Sequence, residues 1–281
     1  MSFRAVVGGL FFLLSLFAIN SCKKERTDTD TQSSVDNSIA EGEFCRVFSQ
    51  THGIAVNNSG VQRNSVDIPI PASGCPDYYV DSLDATAFPV TLWLYFGTDT
   101  DGDGIYETGC TGNDGKVRQG MIEAVFDKPW HLPGSGLTMT LHNYYVNGIK
   151  FEATISVSKT LTSYTQIVQN GKASKGSEWT ILWNSTRTLT ADIGVPTNPF
   201  DDVLTVTGTA NGTDRNGKTF SVDIDANNPL ISKMGCPYIF KGRQTVKIQG
   251  KTDRVIDYGD GTCDNIAKII INSNEFEFKL Q

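Results

Sequence analysis

The chain has 281 residues, 31 acidic against 24 basic side chains, and a formal net charge of −7. That length is enough to bury a substantial core in one large or two small domains. Lys and Arg are scattered with no basic stripe, which argues against a nucleic-acid partner, and the acidity favours solubility and cation binding.

The first element is an export signal. Arg4 is followed by an apolar run from Ala5 to Ile19 and then by small and polar residues up to Cys22. A run of about 15 residues is too short for a spanning helix, which needs roughly 20. No later stretch is long and apolar enough to cross a bilayer. The sequence Ile19-Asn20-Ser21-Cys22 resembles the lipobox of bacterial lipoproteins. The resemblance implies cleavage before Cys22, diacylglycerol on its thiol and usually an acyl group on the new amine, with the membrane as a partner through that anchor. Each buried methylene of such chains contributes about 0.8 kcal/mol.

Residues 22–44 begin "CKKERTDTDTQSSVDNS", with no apolar residue between Cys22 and Val35, and read as a disordered tether. From about residue 66 the chain alternates apolar and polar residues in short runs broken by Gly, Asn and Asp. This pattern predicts an all-β fold of about twelve to fourteen antiparallel strands, a meander forming a sandwich or curved roll. "VTLWLYF" (90–96) and "EWTILWN" (178–184) are apolar on both parities and are expected to be central strands covered on both faces.

Five cysteines follow Cys22. "GCP" occurs at 74–76 and 235–237, each time followed by a strand-like run and a Gly-rich turn ending in Cys. The context predicts bridges Cys75–Cys110 and Cys236–Cys263, with Cys45 left over, and suggests an internal duplication divided as 45–170 and 171–281. One continuous β-domain over 45–281 is the alternative. The separations are 35 and 27 residues, an excess of 8 that is close to the nine residues Asp99 to Glu107. The acidic stretch therefore reads as an insertion into one copy.

That stretch, "DTDGDGIYE", is the strongest chemical signal. Asp99, Asp101 and Asp103 alternate, Gly104 permits a sharp turn, Ile105 offers a carbonyl and Glu107 closes the set. Hard oxygen ligands in a tight loop suit calcium. An EF-hand is excluded, since its twelfth position is Cys110 and the flanks read as strands. The loop resembles instead the calcium-binding β-hairpin loops of extracellular proteins, which implies a structural rather than catalytic ion.

Two hairpins are readable to their register. A three-residue loop Val146-Asn147-Gly148 pairs Leu141 with Ala153, Met139 with Ile155 and Leu137 with Val157. A three-residue loop Arg215-Asn216-Gly217 sets Asp214 opposite Lys218. His142 then falls opposite Glu152 as a cross-strand pair. Trp130, in a Pro/Gly-rich loop beside His131, either stacks on a sugar or packs against the sheet. Cys45 and His52 form a conceivable nucleophile–base pair that their spacing alone does not support. Hydrolase elbows, zinc-protease helices, phosphate loops and dinucleotide fingerprints are absent from the sequence.

The opening "SCKKE", with "CTGNDGKVRQG", "NYYVNGIKFE", "GTDRNGKTF" and "DYGDGTCDN", is similar to a group of uncharacterised Bacteroidota outer-membrane lipoproteins. The likeness implies location, with the periplasmic or surface face left open, and no activity. The expectation is a non-enzymatic envelope module that binds an envelope protein or glycan. A carbohydrate-binding or adhesive protein and a glycan hydrolase are the alternatives.

Overall fold

The computed structural model describes residues 28–58, 61, 74–81, 87–192, 202–233 and 235–281. Cys22 and the signal lie outside the described residues. Among the described residues, helix α1 (Gln32–Val56) comes first and fifteen strands follow. These are β1 (Asp77–Asp81), β2 (Val90–Phe96), β3 (Cys110–Thr111), β4 (Val117–Phe126) and β5 (Gly136–Val146). Next come β6 (Ile149–Lys159), β7 (Tyr164–Lys175), β8 (Trp179–Asp192), β9 (Val203–Thr213) and β10 (Thr219–Ile224). The last are β11 (Leu230–Lys233), β12 (Lys241–Ile248), β13 (Arg254–Asp260), β14 (Ile266–Ile271) and β15 (Asn274–Lys279).

All the strands belong to one antiparallel sheet, in the order β1-β2-β4-β5-β6-β7-β8-β9-β10-β12-β13-β14-β15, with β3 beside β4 and β11 beside β9 and β12. The expected all-β meander is thus a single curled layer around a helix rather than a two-sheet sandwich. Positions 170 and 171 both lie inside β7, so the sheet crosses the drawn repeat boundary without interruption. Curling is helped by register shifts in β4 at Gly120, in β5 at Asn143, in β7 at Asn170 and in β12 at Gly242, all with positive φ. Such bulges bend and twist a strand locally.

The helix is the main departure from expectation. Residues 32–44, read as tether, form its first half. Nearly every side chain of α1 is buried, polar ones included. Ile39, Phe44, Val47, Phe48 and Ile54 join the apolar core, which is continuous with the inward faces of the strands. Phe44 stacks on Trp183 of β8 at 5.3 Å and meets Phe151 of β6 edge-on at 5.9 Å. Ser38 reaches Tyr258 of β13, Gln166 of β7 donates to the Phe44 carbonyl, and Tyr144 of β5 donates to Glu43. A helix gripped from so many directions needs no apolar stripe, and the stripe is the feature by which sequence reading finds helices.

Where strands were read in detail, the agreement is mixed. The Asp214–Lys218 closure holds: the Asp214 amide donates to the Lys218 carbonyl at 2.9 Å and Gly217 takes φ 78°. In the other hairpin Val146 pairs with Ile149 across a two-residue Asn147-Gly148 turn. One extra residue in β5, with Asn143 at φ 45°, then restores the expected Met139–Ile155 and Leu137–Val157 pairs. Apolar side chains still face apolar side chains across the hairpin, but the odd residue lies in the strand and not in the loop. The "VTLWLYF" and "EWTILWN" strands bury one face each; Leu182 is 49% exposed.

Candidate functional site: an acidic hairpin tip beside an aromatic face

The acidic loop projects from the end of β2. Thr98 and Thr108 form a bridge at its base, with the Thr98 amide donating to the Thr108 carbonyl at 3.0 Å. Gly97 (φ 106°) is required there: a Cβ would fall 1.7 Å from the Thr108 carbonyl oxygen. Above this base, carboxylate oxygens of Asp99, Asp101, Asp103 and Glu107 all lie within 4.8 Å of one another. Oxygens on opposite sides of a calcium ion stand about 4.6–5.2 Å apart, so the four groups can share one ion of that size.

Backbone amides hold the carboxylates in place. Asp99 accepts from Gly102 at 2.7 Å and Gly104 at 3.0 Å, both glycines with positive φ. Asp103 accepts from Ile105 at 2.8 Å. Glu107 accepts from the amide of Thr100 at 2.8 Å, and this bond holds its carboxyl below the usual range. Ile105 lies on the same loop, with its side chain half exposed.

Both predicted disulfides are formed, Cys75–Cys110 and Cys236–Cys263, and Cys45 is free and buried. Each bridge closes a unit of two antiparallel strands, β1–β2 in one case and β12–β13 in the other. The first bridge ties down the strand that follows the acidic loop.

Other expectations are redirected. Trp130 is fully buried, donates its indole N–H to His52 Nδ1 at 3.0 Å and stacks on Tyr164 at 5.5 Å. It belongs to the core and presents no face to a ligand, because its only polar atom is satisfied by a helix residue 78 positions away. His52 is sealed with it; burial, helped by Lys159, pushes its pKa down to about 3. Burial likewise pushes the Cys45 thiol up to about 12. Neither group is poised for proton transfer or attack near neutral pH. His142 meets Glu123 on β4 at 2.9 Å, while Glu152 pairs with Lys150 and Lys172. The β5 bulge turns His142 away from its expected partner.

The interior charges form a second constellation that the sequence concealed. Helix acids meet bases of the sheet and of its β9–β10 loop: Asp36 with Arg215 of the loop at 2.6 Å, Glu41 with Arg187 of β8, and Glu43 with Arg118 of β4 at 3.4 Å. Arg46 of the helix meets Asp114, which Arg118 also holds at 2.7 Å. Burial opposes the charge on Asp114, but Arg118 and Arg46 keep its carboxyl below the usual range. Ahead of the helix, Asp28 meets Arg254 at 2.6 Å and Asp30 meets Lys218.

Sequence reading also missed an outward-facing aromatic group. On β2, Val90, Leu92, Leu94 and Phe96 face the core, and Thr91, Trp93 and Tyr95 face outward, half-buried. The signal available was purely apolar side chains on one parity and Thr, Trp and Tyr, each with a polar group, on the other. Among the described residues, no helix is long and apolar enough to cross a membrane. No protein-family model, curated protein or solved structure matches this chain.

Proposed function

We propose that this protein is a lipid-anchored cell-envelope module of the outer membrane, stabilised by calcium at its acidic tip, whose work is binding or envelope architecture rather than catalysis. The observation that carries the reading is the commitment of the interior's ionisable groups to the fold. Helix acids are paired to bases of the strands and of the β9–β10 loop, and Cys45 and His52, a conceivable nucleophile–base pair, are sealed in the core. The anchor rests on Cys22 after the apolar run Ala5–Ile19, and the two disulfides suit an oxidising exported compartment. Calcium rests on four convergent carboxylates whose oxygens are hard ligands at a workable spacing.

The test has two arms. Labelling cells with a clickable palmitate analogue should mark the wild-type chain and not Cys22→Ser; equal or absent labelling removes the anchor. Crosslinking capture from the envelope, with calcium and with EDTA, should recover a partner protein or glycan. A partner lost in EDTA and in Asp101→Ala/Asp103→Ala makes the tip part of the binding surface. A partner indifferent to both leaves the tip a local staple, and empty capture in every condition counts against a binding role.

A further inference from the structure

The outward face of β1, β2 and β4 carries a patch of rings beside the acidic tip. Tyr79 of β1 pairs in register with Trp93 of β2, and Asp77 with Tyr95. These residues share parity with the outward residues of β2, so Tyr79, Trp93 and Tyr95 lie on one face. Tyr79 is 58% exposed. Tyr106, on the acidic loop, stacks on Tyr95 with centroids 6.1 Å apart and planes 24° from parallel. Its carbonyl is held by the side-chain amide of Gln119. His142 lies 6.3 Å from Trp93 and is fixed by Glu123. Four rings and an imidazole are thus gathered on the sheet's outside.

We infer that this platform is a binding site for a neutral glycan, an inference that rests on the binding role proposed above. Tyr and Trp present an apolar ring face and a polar tip, and they lose little conformational freedom on contact. The C–H faces of a sugar ring fit the first property and its hydroxyls the second. Adjacent strands stand about 4.8 Å apart, and residues two apart along a strand about 7 Å, so the rings are spaced on the scale of consecutive sugars. On β4 the same face carries Met121 opposite Tyr95, Glu123 opposite Trp93 and Val125 opposite Thr91, so that Glu123, with Thr140 beside it in register, interrupts the apolar side chains with hydrogen-bonding groups. A protein partner would call for a contiguous apolar centre. Charge decides between glycan classes. Asp77, Asp81, Glu123 and the carboxylates of the tip surround the platform, so a polyanionic chain is repelled and an uncharged one is not.

The test is affinity electrophoresis of the full chain through native gels containing xyloglucan, galactomannan or laminarin, with polygalacturonate as the anionic comparison. At least one neutral polysaccharide should retard the wild type. Trp93→Ala should weaken retardation by about tenfold, the loss of one stacked ring, and Leu161→Ala, an exposed apolar change elsewhere, should leave it intact. If Trp93→Ala disturbs the near-UV dichroism, Tyr79→Ala, more exposed and on the edge strand, decides instead. Retardation by polygalacturonate alone, by no gel, or equally in wild type and both ring variants overturns the inference. A protein captured through this face with every glycan silent overturns it too, and leaves the envelope-module reading standing.

Discussion

Glu41 of the helix and Arg187 of β8 form a two-point ion pair in the centre of the molecule, with side-chain exposures of 2% and 1% and Arg187 Nε donating to Glu41 at 3.0 Å. They are 146 residues apart in the chain, and their pairing ties the helix to the middle of the sheet. A pair so buried has little net value over an apolar substitute, but losing one partner strands a charge in the core. Glu41→Leu should therefore destabilise the fold by about 3–5 kcal/mol, and Glu41→Leu/Arg187→Met should recover much of the loss. Urea unfolding midpoints of the two singles and the double supply the cycle. Additive singles would show that the pair is not coupled.

The acidic tip should report directly on calcium. Adding calcium to metal-free protein should raise Tm by several degrees through linkage, and isothermal titration should return one site. Asp101→Ala/Asp103→Ala should abolish both effects without lowering Tm in EDTA, because the hydrogen bonds that these two side chains accept come from amides within the loop. A calcium response that survives in the double variant would place the ion elsewhere.

His52 gives the protein a pH dependence whose sign is fixed. Its folded pKa of about 3, set by burial and then by Lys159, lies below the ordinary 6.5. Between those values the unfolded chain binds a proton that the folded one refuses. Stability present above about pH 6.5 is therefore lost as pH falls through the window, with a limiting slope of about 1.4 kcal/mol per pH unit. Urea midpoints between pH 6.5 and 5, above the main carboxylate range, should fall in wild type and stay flatter in His52→Gln. Equal slopes would mean that the ring is solvated.

Thiol chemistry separates the cysteines. In a Cys22→Ser chain, a thiol reagent should find nothing in the native state and one group after urea, since Cys45 is buried and its pKa is about 12. Cys236→Ser/Cys263→Ser should cost about 3–4 kcal/mol, the chain-entropy value for a loop of this length. Native-state labelling of Cys45 would show that the helix opens from the sheet.

Much of this protein is legible in local pattern. The alternation of "EFEFKL" places Phe276, Phe278 and Leu280 against the core and Glu275, Glu277 and Lys279 outside, as the structure has it. The repeated "GCP" fixed both disulfides, and Asp214-Arg215-Asn216-Gly217-Lys218 fixed its turn, because each depends on residues close in the chain or on a repeated context. The gathering of the four acidic side chains was readable for the same reason: Asp99, Asp101, Asp103 and Glu107 all come from one loop. The helix was not readable. Asp36, Glu41 and Glu43 look like solvent-facing residues until Arg215, Arg187 and Arg118 arrive from 75 to 179 positions away. The partner of His142, the burial of Trp130 and the gathering of Tyr79, Trp93, Tyr95 and Tyr106 on one face likewise depend on which strands become neighbours. Local periodicity decides which residues extend and turn; only the curled sheet decides which charges lose water together and which rings keep it.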